Sequence, residues 1–128
     1  TRAMDDDLRL YEETLERLEA LCATALFPGH GTQLVGSAQD IRKTIERSRK
    51  FVLDHRAAIR QKLTEQNEPI DLLGLALLLT PDGKPLEPLT RWYVHVSTTD
   101  AHLHWLVDEG EVTRVVDERG AFYRWGGA

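Results

Sequence analysis

A histidine between two glycines can serve as a metal ligand, because glycine removes Cβ and lets the backbone approach an ion or substrate closely. The chain carries such a triplet in Pro28-Gly29-His30-Gly31, set between the apolar run Ala25-Leu26-Phe27 and a long amphipathic stretch. His30 is therefore the candidate metal ligand, with a plain turn as the alternative. Two further histidines, His102 and His104, flank Leu103. On a helix, residues two apart point to widely different faces, so this pair shares an ion only if the segment is extended. One packed and one solvated imidazole on a helix surface is the expectation. His55, beside Arg56 on an apolar stripe, reads as a core-edge histidine hydrogen-bonded by a neighbour. No serine, cysteine or carboxylate arrangement signals a nucleophilic triad, and no glycine-rich loop is present to cradle phosphate.

The elements that must position these residues follow from periodicity. Leu8, Tyr11, Leu15, Leu18 and Cys22 alternate spacings of three and four, one stripe of a helix whose start is marked by Asp5, Asp6 and Asp7. Ala23 to Phe27 reads as a short buried strand stopped by Pro28. Ser37 is the N-cap of a long helix, with Asp40 three residues on and Ile41, Ile45, Val52, Ile59 and Leu63 as its apolar stripe, running to about Gln66. The polar Thr64 to Pro69 marks a boundary. Beyond it, Ile70 to Leu79 reads as a short buried helix started by Pro69, and Pro81-Asp82-Gly83 as a turn. Leu89 to Val96 fits helix or strand. Ser97 to Asp100 supplies N-cap candidates for a helix from Ala101 to Asp108 that Gly110 terminates, and Glu111 to Val116 with Ala121 to Trp125 form a hairpin.

The order helix, strand, Pro-Gly-His-Gly, helix resembles the C-terminal part of the metallo-β-lactamase superfamily. The resemblance rests on Met4-Asp5, Leu10 to Leu18, Ala25 to Gly31 and the helix after Ser37. It implies that His30 matches the last protein ligand of a dinuclear site. The superfamily's principal His-x-His-x-Asp-His motif is absent ahead of His30, where no histidine occurs. His102-Leu103-His104 begins like that motif but continues with Leu106 and Val107 in place of aspartate and histidine. The run from His102 to Val112 is similar to the third helix and first wing strand of winged-helix domains, and a lobe of that kind follows the catalytic fold in one branch of the superfamily.

With 128 residues, 41% of them hydrophobic, the chain is long enough for one compact domain or two small lobes, whereas a complete fold of that superfamily needs considerably more. The net charge of -5 opposes nucleic-acid and anionic-membrane partners. The third helix of the second lobe is expected to carry Asp100, Asp108, Glu109 and Glu111 with no Lys or Arg, so specific DNA binding is not expected. Arg42, Lys43, Arg47, Arg49, Lys50, Arg56, Arg60 and Lys62 read as a solvated basic face. Trp92, Trp105, Phe122 and Trp125 must pack in a lobe or against a partner. The single cysteine, Cys22, reads as a buried hydrophobe. No apolar run reaches the roughly 18 to 20 residues of a membrane span. Asp5 to Asp7 stand where a signal peptide would be basic and then apolar, so a cytoplasmic location is expected.

The sequence thus predicts a mostly α chain with minor β, an α/β fragment. Residues 1–66 are expected to be the C-terminal piece of a metallo-β-lactamase αββα fold, and residues 67–128 a winged-helix-like lobe. The resemblance implies a hydrolase of thioesters, lactams or phosphoesters that, when intact, holds two zinc ions. This fragment is expected to be inactive alone and to bind no zinc tightly. Its partners are expected to be the missing N-terminal part of the fold or further copies of itself, and neither DNA nor a membrane. The rival expectation is a stand-alone winged-helix interaction or regulatory module.

Overall fold

The computed structural model describes residues 2–20 and 38–126. His30 and its turn, Ala23 to Phe27, Cys22 and the Ser37 cap lie outside the described residues. Contacts divide the chain into two units, one of Arg9–Asp54, the other of His55–Ala128 with Thr1–Leu8. The described residues form helices α1 (Arg2–Ala20), α2 (Ala38–Glu65), α3 (Leu72–Leu78) and α4 (Leu89–Asp108), then strands β1 (Val112–Asp117) and β2 (Gly120–Trp125).

In the Arg9–Asp54 unit, Leu15 of α1 and Ile41 and Ile45 of α2 make a small buried cluster with Leu18 packed at its edge. Removal of this surface from water is what joins the two amphipathic faces. The predicted α1 stripe is therefore buried at Leu15, but Tyr11 one turn earlier is exposed, since the cluster it would extend ends at Leu15. Helix α1 also begins at Arg2, ahead of the aspartates expected to open it.

Every residue of the predicted α2 stripe is buried: Ile41, Ile45, Val52, Ile59 and Leu63. In the unit that begins at His55, Ile59 and Leu63 meet Leu75 of α3, Leu103 and Leu106 of α4, Val112 of β1 and Tyr123 of β2 in one core. The strands pair antiparallel from Val112 opposite Trp125 to Asp117 opposite Gly120. The expected hairpin is present, closed by Glu118 and Arg119. Its turn is held by Asp117, whose carboxylate accepts from the Arg119 backbone N–H at 2.8 Å and from the Arg119 guanidinium at 2.9 Å. Gly120 follows at φ +126°, where a side chain would be strained.

Two expectations are corrected in this unit. Ile70 does not open a helix. It pairs with Tyr123 as an isolated antiparallel bridge, its N–H donating to the Tyr123 carbonyl at 2.9 Å and its carbonyl accepting from the Tyr123 N–H at 2.8 Å. The helix starts two residues later because Asp71, not Pro69, caps it, accepting from the Gly74 N–H at 2.9 Å. The second correction concerns α4, one continuous helix from Leu89 in place of a separate element followed by a helix capped within Ser97 to Asp100. Thr98 and Thr99 donate their hydroxyls back to the carbonyls of Val94 and His95, each at 2.8 Å. That back-bonding satisfies the cap-like side chains within the helix, so they do not start one. Gly110, at φ +78°, ends α4 as expected.

Candidate functional site

Within the His55–Ala128 unit, α2 and α4 bring three imidazoles together. His55 of α2 stacks on His102 of α4 with ring centroids 4.9 Å apart and planes 18° from parallel. His95, two helical turns before His102, lies 5.8 Å from the His55 ring, and the Trp92 ring lies 5.6 Å from that of His95. A spacing of seven places His95 and His102 on one face of a helix. His95 is fixed from α3, its Nε2–H donating to the Ala76 carbonyl at 2.8 Å. His102 is 1% exposed, and its Nδ1 has no hydrogen-bond partner among the described residues.

Such surroundings favour neutral imidazole. Burial, and then the neighbouring His95, lower the His55 pKa from 6.5 to about 4. Burial, then His55 and Arg56, lower that of His102 to about 3. Desolvation is the larger cause for both, because a buried cation loses water that the site does not replace.

Arg56 overturns the solvated-face expectation. It is buried, with its guanidinium 3.7 Å from the centre of the Trp105 ring, a cation–π contact shielded from water. Arg60, one turn on, reaches Glu111 through two hydrogen bonds of 2.9 and 3.0 Å, tying α2 to the residue just ahead of β1. The basic positions of α2 therefore differ: Lys50 pairs with Asp54 in the open, whereas Arg56 and Arg60 help close the second unit.

His102 and His104 point apart, as helical geometry requires. His104 Nδ1 lies 2.8 Å from the Asp100 carbonyl oxygen and 3.3 Å from the Asp100 carboxylate, so Nδ1 carries the proton and donates it within its own helix. His30 lies outside the described residues. Among those described, no group of three or more His, Cys, Asp or Glu could hold a metal ion. The described donors thus do not fit a zinc site.

Trp105 and Trp92 pack as above, while the first turns of α4 leave Leu89 and Tyr93 78% and 70% exposed. They line, with Leu73 of α3, Trp92, Val94 and Val96, an apolar hollow of about 640 Å³. Because α4 extends back to Leu89, it also carries an exposed Arg91, a base that the shorter expected helix lacked. Among the described residues, no helix is long and apolar enough to cross a membrane.

Sequence reading picked out His55 and His102 separately but not their contact, and it did not single out His95. The signal was the seven-residue interval between His95 and His102, which becomes one face only when α4 is recognised as a single helix.

No family model and no curated protein matches the sequence. Solved structures do match the fold. A β-lactamase domain protein from Burkholderia ambifaria is similar at a TM-score of 0.73 and 22% identity, over 93% of this chain and 33% of its own. A metallo-β-lactamase family protein from Thermus thermophilus is similar at a TM-score of 0.61 and 24% identity, over 89% of this chain and 32% of its own. The chain has the fold of a portion of metallo-β-lactamase domain proteins and spans about a third of their length.

Proposed function

We propose that this chain is the C-terminal segment of a zinc-dependent hydrolase of the metallo-β-lactamase superfamily, acting on a thioester, lactam or phosphoester and inactive without the rest of that fold. The observation that carries the reading is the similarity, over 93% of the chain, to a third of a β-lactamase domain protein. Residues 1–66 belong to the hydrolase fold, and His30 is their contribution to the metal centre. A catalytic zinc generally takes three protein ligands. The others come from the part of the fold that this chain lacks, which is its natural partner. Without it, the chain self-associates through its apolar faces. The protein works in the cytoplasm and engages neither specific DNA nor a membrane.

Residues 67–128 form a winged-helix-like lobe. The order of elements supports this: the Ile70 bridge, α3, α4 and a hairpin, with Ile70 bridged to Tyr123 of that hairpin. The rival reading, a stand-alone interaction module, is favoured by the apolar hollow around Leu89 and Tyr93.

Calorimetric titration of the purified chain with zinc, paired with thioester, β-lactam and phosphodiester hydrolysis assays, tests the segment reading. No turnover and no zinc retained after dialysis against a mild chelator are expected. Metal-dependent turnover by this chain alone would overturn it.

A further inference from the structure

Three imidazoles and a buried guanidinium occupy one seam. His55 and Arg56 come from α2, His95 and His102 from α4; the His55 ring lies 4.9 Å from His102 and 5.8 Å from His95, with His102 and Arg56 buried and His55 and His95 half-buried. Helix α3 contributes a carbonyl through Ala76 and no titratable side chain, since Leu72–Leu78 is wholly apolar apart from glycine. The buried carboxylate on α4, Asp100, has its Oδ1 3.3 Å from His104 Nδ1. The described charged group that bears on His102 is Arg56, of the same sign as an imidazolium.

We propose that the His55–His95–His102 column makes the α2–α4 seam an acid-sensitive joint, closed at neutral pH and opened by proton uptake in mildly acidic solution. The cause is electrostatic. One imidazolium in the column would sit against Arg56 and a second ring with little water, and two would repel at ring-contact distance. The folded unit therefore resists protonation while the opened chain accepts it. Opening uncovers Leu103 and Leu106, which share the core with Ile59 and Leu63. Acid thus exposes an apolar surface on the very helix that carries the exposed Leu89 and Tyr93.

The sign follows from linkage. Both His55 and His102 have pKa values below the usual 6.5, so stability is fully present above pH 6.5 and is lost as the pH falls toward 4 and 3. At pH 5 each histidine that stays neutral when folded raises the unfolding constant by about 30-fold relative to pH 7.5.

The test uses the whole chain. Urea unfolding at pH 7.5 and 5.0 is compared for the wild type, His55→Phe and His102→Phe, following tryptophan fluorescence. The wild-type unfolding constant is expected to rise several-hundred-fold between the two pH values, and each variant to remove about 30-fold of that rise. Proton NMR titration of the wild-type imidazoles supplies the second readout, needed if a variant does not fold. His55 and His102 are expected to stay neutral down to the pH at which α4 amides lose hydrogen-exchange protection. Titration of either ring near 6.5 in the folded chain, or an unchanged pH dependence in both folded variants, would overturn the proposal.

Discussion

Replacing Leu103 with alanine probes the second unit where its elements converge. Leu103 is wholly buried, and its cluster takes residues from α2, α3, α4 and both strands. Truncation removes three carbons from a site whose lining cannot collapse without moving several elements, and buried leucine-to-alanine changes cost about 2–5 kcal/mol. The low end of that range would need collapse, which neighbours held from five directions resist, so about 3–4 kcal/mol is expected. For a unit of this size that is a fall in melting temperature of roughly 12–30 °C. Leu89→Ala is the internal control: at 78% exposure it removes little buried surface and is expected to change stability by no more than about 0.5 kcal/mol. Thermal and urea unfolding followed by circular dichroism would measure both. A loss below about 1 kcal/mol for Leu103→Ala, or a larger loss for Leu89→Ala, would refute the assignment of α4's buried face.

Asp71→Ala is expected to cost about 1 kcal/mol by leaving the Gly74 N–H without its cap, and urea unfolding would show it. Gly74→Ala acts on the same contact, since its Cβ would come within 2.7 Å of the capping oxygen, and should forfeit the usual gain of alanine in a helix. Duplex DNA is expected to bind without site preference and no tighter than about micromolar at physiological salt, given a net charge of -5 and the carboxylates Asp108, Glu109 and Glu111 around the end of α4; a fluorescence-anisotropy titration checks this.

How much was legible in the sequence varied with the kind of signal. The α2 stripe was readable because five β-branched or leucine residues at helical spacing have one physical solution, burial on one face. The hairpin was readable for a similar reason, since alternation and a glycine-bearing turn agree. The start of α4 was not, because Ser97-Thr98-Thr99-Asp100 has the same composition whether it caps a helix or back-bonds inside one, and only the carbonyls four residues earlier decide. Ile70 was hidden by its neighbours: an isoleucine beside a leucine-rich helix looks helical until Tyr123 offers it a bridge. Arg56 was hidden by its type, because a charged side chain on a basic helix is ordinarily solvated, and the ring of Trp105 that covers it is far away in sequence. The histidine column required both the α4 register and the α2 packing. Of the candidate site itself, the sequence marked His30, which lies outside the described residues; among those described, no group of three or more His, Cys, Asp or Glu could hold a metal ion.

The most direct test of the hydrolase-segment reading restores what the chain lacks. The matching third of the Burkholderia ambifaria β-lactamase domain protein is replaced by this chain, and the zinc content of the folded, monodisperse chimera is measured by atomic emission with His30 intact and with His30→Ala. Retention of about two zinc ions with His30, falling by at least one on His30→Ala, is the expected result. A folded chimera whose zinc content is the same with and without His30 would contradict the assignment of that residue as the chain's contribution to a metal centre.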